Sequence, residues 1–237
     1  MELRLQSPRN ELNPALPVGD PPLPMTRLLL LDCDSTLSAI EGIDEMARLA
    51  GPQVHAAVEA MTRDAMEGRV PIGEVMPRRL TLIRPSRAIV EAVAHLYIEH
   101  IEPDAQDALN TTRSAGWTPV IVSGGFVEAI RPLADRLGIS RVEAIGLRFD
   151  DHGHYAGFDT SHPTTRNGGK AEIASHLRNE FEAERVVMVG DGVSDLETVD
   201  VVDRFIGFGR YIQRPRVRAA ASRFIHSLAE LPAAIEW

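Results

Sequence analysis

Three short aliphatic runs in this chain each end on a carboxylate or a hydroxyl. Leu28–Leu31 runs into Asp32, Val120–Val122 into Ser123, and Val186–Val189 into Gly190 and Asp191. Uninterrupted apolar runs of this length are the mark of strands buried on both faces of a parallel sheet. In open α/β sheets the ligand lies in the crevice beyond the carboxyl ends of the strands. The runs therefore predict a sheet that delivers Asp32, Asp34, Ser123 and Asp191 to one place.

The rest of the pattern fits such a sheet. From Ile101 onward helices and strands alternate: a helix over Asp104–Ser114, a strand over Trp117–Val122, and a helix over Phe126–Leu137. A strand and hairpin follow over Val142–Phe158, turning at Asp150-Asp151-His152-Gly153. Then come a helix over Gly169–Phe181, a strand over Val186–Val189 and a short strand over Phe205–Gly207. This alternation implies βαβ units. Between the first strand and Ile101 the periodicity is helical instead. Glu41–Ala50 closes at Gly51, Pro52 opens a second helix that Gly68 ends, Ile72 begins a third, and Pro85-Ser86 restart a fourth. Val54, Val58, Met61 and Ala65 form the stripe of the second helix, and Ile89, Val90, Val93 and Leu96 that of the fourth. The fold class is α/β: a doubly wound, Rossmann-like, mostly parallel sheet with a small helical cap inserted after the first strand. The expected division is a Pro-rich flexible extension over 1–24, a catalytic core over 25–40 and 101–237, and the cap over 41–100.

Composition narrows the function. A formal charge of −9 speaks against a nucleic-acid partner, because such domains carry a basic face. It leaves an anionic substrate open, since a local cationic pocket can outweigh the global field. No apolar run approaches the roughly 18–20 residues that span a bilayer, and the N-terminal segment lacks the pattern of a signal peptide. One cysteine, Cys33, leaves no internal disulfide and fits a reducing compartment, so a cytoplasmic protein with no membrane partner is expected. A monomer or homodimer is equally compatible with the chain.

The acids at the strand ends have a definite chemistry. Asp32 and Asp34, one residue apart, can act as nucleophile and proton donor if a cation offsets their repulsion. Asp32 and Asp191 supply the oxygen ligands that Mg²⁺ takes. Ser123 with Gly124-Gly125 offers a hydroxyl and unhindered N–H groups to phosphate oxygens. Lys170, after Gly168-Gly169, can bring a cation to the same phosphate. Cys33 alternates away from both acids and reads as core. His152 and His154 read as a surface hairpin, because no second cluster of ligands has matching spacing.

Four motifs in order, Asp32-Cys33-Asp34-Ser35-Thr36, Ser123-Gly124-Gly125, Lys170 and Gly190-Asp191-Gly192-Val193-Ser194-Asp195, resemble those of the haloacid dehalogenase superfamily. Within it the chain looks most like the phosphoserine phosphatases, through Asp34-Ser35-Thr36-Leu37 followed by Glu41 and Ile43-Asp44-Glu45, through Ala65-Met66-Glu67-Gly68, and through Ser123-Gly124-Gly125-Phe126. The resemblance implies a Mg²⁺-dependent phosphatase that forms an aspartyl-phosphate on Asp32, with Asp34 as acid and base. Ser123, Gly124 and Lys170 would bind the phosphate, Glu41 the substrate ammonium and Arg79 its carboxylate. The metal would sit on Asp32, the backbone carbonyl of Asp34 and Asp191, with Asp195 and Ser194 in support. The chain departs from the usual pattern at Ser194, where asparagine is common, at Ile72, where an aromatic is common, and over Asp203–Arg218.

Alternatives remain at single positions. Asp195 can support Lys170 or reach the metal, Glu41 can cap its helix, and Arg79 can share a solvated basic face with Arg78 and Arg84. For the whole chain the alternatives are transfer of the phosphoryl group to another hydroxyl such as homoserine, action on a different small phosphate ester, and a non-catalytic phospho-acceptor switch. Asp34 argues against the switch, because a second acid speeds loss of the phosphoryl group.

Overall fold

A computed structural model of the protein describes residues 26–66 and 72–236. The extension expected over 1–24, the helix end at Gly68 and the side chains of Ala65, Met66 and Ile72 lie outside what is described. The chain opens with β1 (Arg27–Leu31), followed by α1 (Gly42–Ala50), α2 (Pro52–Met66), α3 (Ile72–Ile83) and α4 (Arg87–Glu99). It continues through α5 (Ala105–Ser114), β2 (Trp117–Phe126), α6 (Val127–Arg136), β3 (Arg141–Ile145), β4 (Leu147–Phe149) and β5 (Tyr155–Phe158). The last part holds α7 (Gly169–Glu180), β6 (Arg185–Gly190), α8 (Val193–Leu196), β7 (Arg204–Phe208), α9 (Pro215–Ala220), β8 (Arg223–Ile225) and α10 (Leu231–Ala234).

Six strands form one sheet in the order β3-β2-β1-β6-β7-β8, every neighbouring pair parallel. The chain winds outward from β1 through β2 to β3, then crosses back to β6 on the other side of β1. β1 is thus the strand at which the winding reverses, the position where α/β sheets leave a crevice. Leu31 pairs in register with Ile121 of β2 and Val189 of β6, so the three aliphatic runs end level with one another.

Alternation along the strands divides the core between the two faces of the sheet. Leu29, Leu31, Ile121, Val187 and Val189 pack on one face with residues of α1, α4, α5 and α6. Leu28, Leu30, Val120, Val122, Val186 and Met188 pack on the other with Ile173 and Leu177 of α7 and Val217 of α9. Cys33 is fully buried in the first cluster. The hairpin of β4 and β5 stands apart from the main sheet. Its turn is held by Asp150, whose carboxylate accepts from the His152 and His154 amides at 2.9 and 2.8 Å.

Three local expectations need correction. β2 does not stop at Val122: after a register shift it continues through Ser123-Gly124-Gly125 to Phe126, which pairs with Ile145 of β3. Phe126 is therefore the residue before α6 rather than part of the helix. β8 adds an edge strand that its three residues, Arg223–Ile225, are too few to announce. On α4 the fully inward positions are Val90, Val93, Ala94 and Tyr97, with Leu96 only partly covered.

The loop after β1 is tied to the place where the helical segment returns. Ala39 N–H donates to His100 O at 2.9 Å and Glu102 N–H to Leu37 O at 2.9 Å. The Ser38 hydroxyl lies 3.1 Å from Tyr97 O and 3.0 Å from His100 O. Departure into α1 and arrival from α4 are thereby pinned beside the carboxyl end of β1.

Candidate active site

At the carboxyl ends of β1 and β6, Asp32 is held in place from three sides. Its amide donates to Val189 O at 2.9 Å, and its Oδ1 accepts from the Cys33 amide at 2.8 Å. The same oxygen lies 2.8 Å from Lys170 Nζ. Lys170 sits in the first turn of α7 and also contacts Asp195 Oδ1 at 2.6 Å, while Asp195 Oδ2 accepts from the Gly192 amide at 2.8 Å. A Cβ on Gly190 would run into the Asp195 carboxyl, so glycine is what lets α8 close over the end of β6. Asp191 pairs through Oδ2 with Arg214 Nε at 3.2 Å. Asp32, Lys170, Asp191 and Asp195 are all nearly or wholly buried.

The loop after β1 and the helices α1 and α3 form the opposite wall. Asp34 Oδ1 accepts from the Gly42 amide, at the start of α1, at 2.6 Å, and from the Tyr97 hydroxyl at 2.7 Å. Ser35, in a left-handed conformation at φ 51°, donates from its hydroxyl to Glu41 Oε1 at 2.7 Å. Glu41 stands at the N-cap of α1 but makes no side-chain capping bond, so its carboxylate faces the site instead of the helix end. Arg78 is exposed and pairs with Glu74, whereas Arg79 is turned inward.

Between the walls lies a cavity of about 200 Å³. Asp32, Asp34, Gly124, Lys170, Asp191 and Ser194 line it together with Glu41 and Arg79, and Ile43, Met76 and Arg214 add to its surface. Ser123 and Asp195 do not line it. The Ser123 hydroxyl accepts from the Gly125 amide at 3.0 Å and lies a long 3.5 Å from Asp34 Oδ2. Asp195 acts from behind, through Lys170.

Crowding of carboxylates dominates the electrostatics. Burial and the nearby Asp32 and Asp195 push Asp191 up to about 8, against the pull of Arg214. Burial and Asp32 push Asp195 up to about 7. Burial, Glu41 and Asp32 push Asp34 to about 7. Burial also raises Glu41, and it lowers Arg79 against the opposing fields of Asp44 and Glu41. Burial alone would lower the Lys170 ammonium, but Asp195 and Asp32 outweigh it and hold the group well above its ordinary value. Asp32, Asp191 and Asp195 each offer a carboxylate oxygen, all within 4.8 Å of one another. An all-oxygen donor set with unrelieved negative charge suits a hard divalent cation. The residues present thus fit a metal ion.

Sequence reasoning missed Arg214 and Tyr97. Arg214 is one of four arginines between residues 210 and 218, and nothing in the sequence marks it out from Arg210, Arg216 and Arg218. Tyr97 was legible only through its spacing, seven residues after Val90 and four after Val93 on the inward face of α4.

The model of the haloacid dehalogenase-like hydrolases matches residues 29–200. Phosphoserine phosphatase of Bos taurus is 38% identical over 207 residues, covering 86% of this chain and 91% of the relative. Phosphoserine phosphatase of Methanocaldococcus jannaschii is 31% identical over 176 residues, covering 72% of this chain and 79% of the relative. A solved phosphoserine phosphatase carrying an analogue of its phospho-aspartyl intermediate superposes with a TM-score of 0.76 at 26% identity, over 90% of this chain and 100% of that one. Motif order, sheet topology and these likenesses agree: the chain belongs to the haloacid dehalogenase-like hydrolases and, within them, to the phosphoserine phosphatase family.

Proposed function

We propose that the protein hydrolyses O-phospho-L-serine to L-serine and phosphate, with Mg²⁺ as cofactor and an aspartyl-phosphate on Asp32 between the two steps. The observation that carries this reading is one small cavity holding Asp32, Asp34, Lys170, Glu41 and Arg79 together. At about 200 Å³ it is smaller than the roughly 300–1,000 Å³ of sites for drug-sized ligands, as suits a small metabolite. A relative 38% identical bears the same activity in its name.

In the first step an Asp32 oxygen attacks phosphorus in line with the serine oxygen. The P–O bond to serine breaks and Asp34 gives its proton to that leaving oxygen. In the second step water attacks the phosphorylated Asp32, Asp34 takes the water's proton, and the bond from Asp32 to phosphorus breaks. Lys170 and the Gly124 N–H would serve the equatorial oxygens, where the charge of phosphoryl transfer accumulates. Ser123 serves the same wall through Gly125 and Asp34. A magnesium ion on Asp32, Asp191 and the Asp34 carbonyl would supply charge neutralisation at the phosphate, with Asp195 and Ser194 supporting its loop. Glu41 and Arg79 complement the two ends of a zwitterion, a carboxylate for the ammonium and a guanidinium for the carboxylate.

Within this reading, 41–100 acts as a cap on a core of 25–40 and 101–237, in a cytoplasmic enzyme. Among the described residues no helix is long and apolar enough to cross a membrane. The test is phosphate release from L-phosphoserine and from a panel of other small phosphate esters, with Mg²⁺ and with chelator. Magnesium-dependent preference for phosphoserine is the expected result. Preference for another ester would overturn the substrate, and equal turnover in chelator would overturn the cofactor.

A further inference from the structure

Asp34 must do two opposite things in the reaction proposed above, give a proton and then take one, and both depend on which of its oxygens carries that proton. The structure distinguishes the two oxygens. Oδ1 accepts from the Gly42 amide at 2.6 Å and from the Tyr97 hydroxyl at 2.7 Å. Oδ2 has only the Ser123 hydroxyl, at 3.5 Å, and faces the wall made by Ser123 and Gly125. A carboxyl oxygen has two lone-pair directions, and two donors fill both of them on Oδ1. The proton of the acid form then has its place on Oδ2.

The donor that makes this asymmetry is not part of any strand-end motif. Tyr97 lies near the end of α4, its side chain almost wholly buried, and its own carbonyl is tied to Ser38 in the loop that carries Asp34. Gly42 leaves room for the hydroxyl: a Cβ at this position would occupy the place of the Tyr97 oxygen. The absence of a side chain at residue 42 and the presence of a phenol at residue 97 thus serve one contact.

We propose that Tyr97 is a positioning residue for proton transfer, holding Asp34 by Oδ1 so that Oδ2 alone exchanges the proton with the reacting oxygens. The proposal rests on the phosphatase reading. As the bond from Asp32 to phosphorus forms and the P–O bond to the leaving group breaks, the Oδ2 proton moves to the leaving oxygen. As water then adds to phosphorus and the bond to Asp32 breaks, a proton from that water returns to Oδ2. Tyr97 keeps its own proton throughout.

Tyr97→Phe removes the hydroxyl and keeps the ring in the core. The measurement is kcat and KM of the magnesium-loaded wild type and variant on L-phosphoserine and on substituted phenyl phosphates spanning a range of leaving-group basicity. The expected result is a fall in kcat on the order of ten- to a hundredfold for phosphoserine. KM should stay within about twofold, since the substrate-binding groups are untouched. The loss in kcat/KM, which reports the steps up to departure of the leaving group, should shrink steadily as that group becomes less basic, because a nitrophenolate needs no proton. An equal loss in kcat/KM across the series, or none, would overturn the proposal. If Tyr97→Phe fails to fold, Gly42→Ala reaches the same contact from the other side and should give the same dependence. A wild type that ignores phosphoserine, beside a variant whose loss on aryl esters still shrinks with leaving-group basicity, would sink the substrate and leave Tyr97 its role. A phosphoserine-specific wild type beside a variant whose loss is flat would do the reverse.

Discussion

The two walls of the cavity are built on different physics. On the sheet side Asp32, Lys170, Asp191 and Asp195 are 7, 4, 3 and 0% exposed and locked by contacts of 2.6 to 3.2 Å. On the helical side Asp34, Glu41 and Arg79 are only half-buried, and they stand on the loop after β1 and on α1 and α3. Electrostatic stabilisation of a transition state needs charges that do not reorganise during the reaction, and parallel strands with buried ion pairs supply that. Admission and release of substrate need a wall that can yield, which a helical insertion supplies more readily than a sheet. On the reading proposed here, the nucleophile and the charge that stabilises the phosphate fall to the sheet wall and substrate choice by Glu41 and Arg79 to the helical wall, with Asp34 at the seam between them.

The largest effect expected from breaking this division is at Asp32. Asp32→Asn keeps the shape and the Cys33 amide contact but removes the nucleophile, so kcat should fall by more than about 10⁴-fold in a protein that stays folded. Steady-state phosphate release checks it, and normal turnover would remove Asp32 from the nucleophile's role. Next comes Lys170→Met, which leaves the buried Asp32 and Asp195 without their shared cation. Taking one partner from a buried ion pair costs about 3 kcal/mol of stability. Urea unfolding should show that loss together with the loss of turnover.

The same division governs what could be read in the sequence. Asp32, Asp34, Ser123, Gly124, Asp191 and Asp195 belong to short contiguous motifs at the ends of aliphatic runs, and period-2 burial fixes where each strand end points; Lys170 follows Gly168-Gly169 at the start of α7. The parallel sheet was legible for the same reason, apart from its edge strand β8. Glu41 and Arg79 entered only through a family resemblance, because one charged residue on an amphipathic helix looks the same whether it faces solvent or a cavity. Arg78 and Arg79 illustrate the ambiguity: adjacent in sequence, one pairs with Glu74 at the surface and the other turns inward. Tyr97 and Arg214 were missed because their partners, Asp34 and Asp191, are 63 and 23 residues away. The extension of β2 through Ser123-Gly124-Gly125 was hidden because two glycines signal a turn unless pairing with β3 overrides them.

A smaller effect, and one confined to the helical wall, is expected at Arg79. Arg79→Ala should raise KM for phosphoserine by about 10- to 100-fold, the equivalent of about 1.5–3 kcal/mol for hydrogen bonds to a charged group. The kcat at saturation should change little, and KM for a phosphate ester lacking the carboxylate should not move. If both esters lost kcat equally, the guanidinium would belong to the chemistry, and the separation of the two walls would fail.

The last effect expected is on the resting protein and not on turnover. Asp34 and Asp195 are pushed to about 7 and Asp191 to about 8, while an unfolded aspartate titrates near 3.9. Between roughly pH 4 and 8 the folded state therefore binds more protons than the unfolded one. Stability must then fall as pH rises through that window, the reverse of the usual acid-lability of paired carboxylates. In chelator, the midpoint of thermal unfolding should decline from pH 5 to 8, and saturating Mg²⁺ should flatten the decline by neutralising the cluster. The Asp32 carboxylate presses on all three acids, so Asp32→Asn in chelator should flatten it as well. A midpoint in chelator that rises from pH 5 to 8 would mean that the sheet-side acids are not crowded as the structure has them, and the contrast between a charge-strained sheet wall and a compliant helical wall would lose its basis.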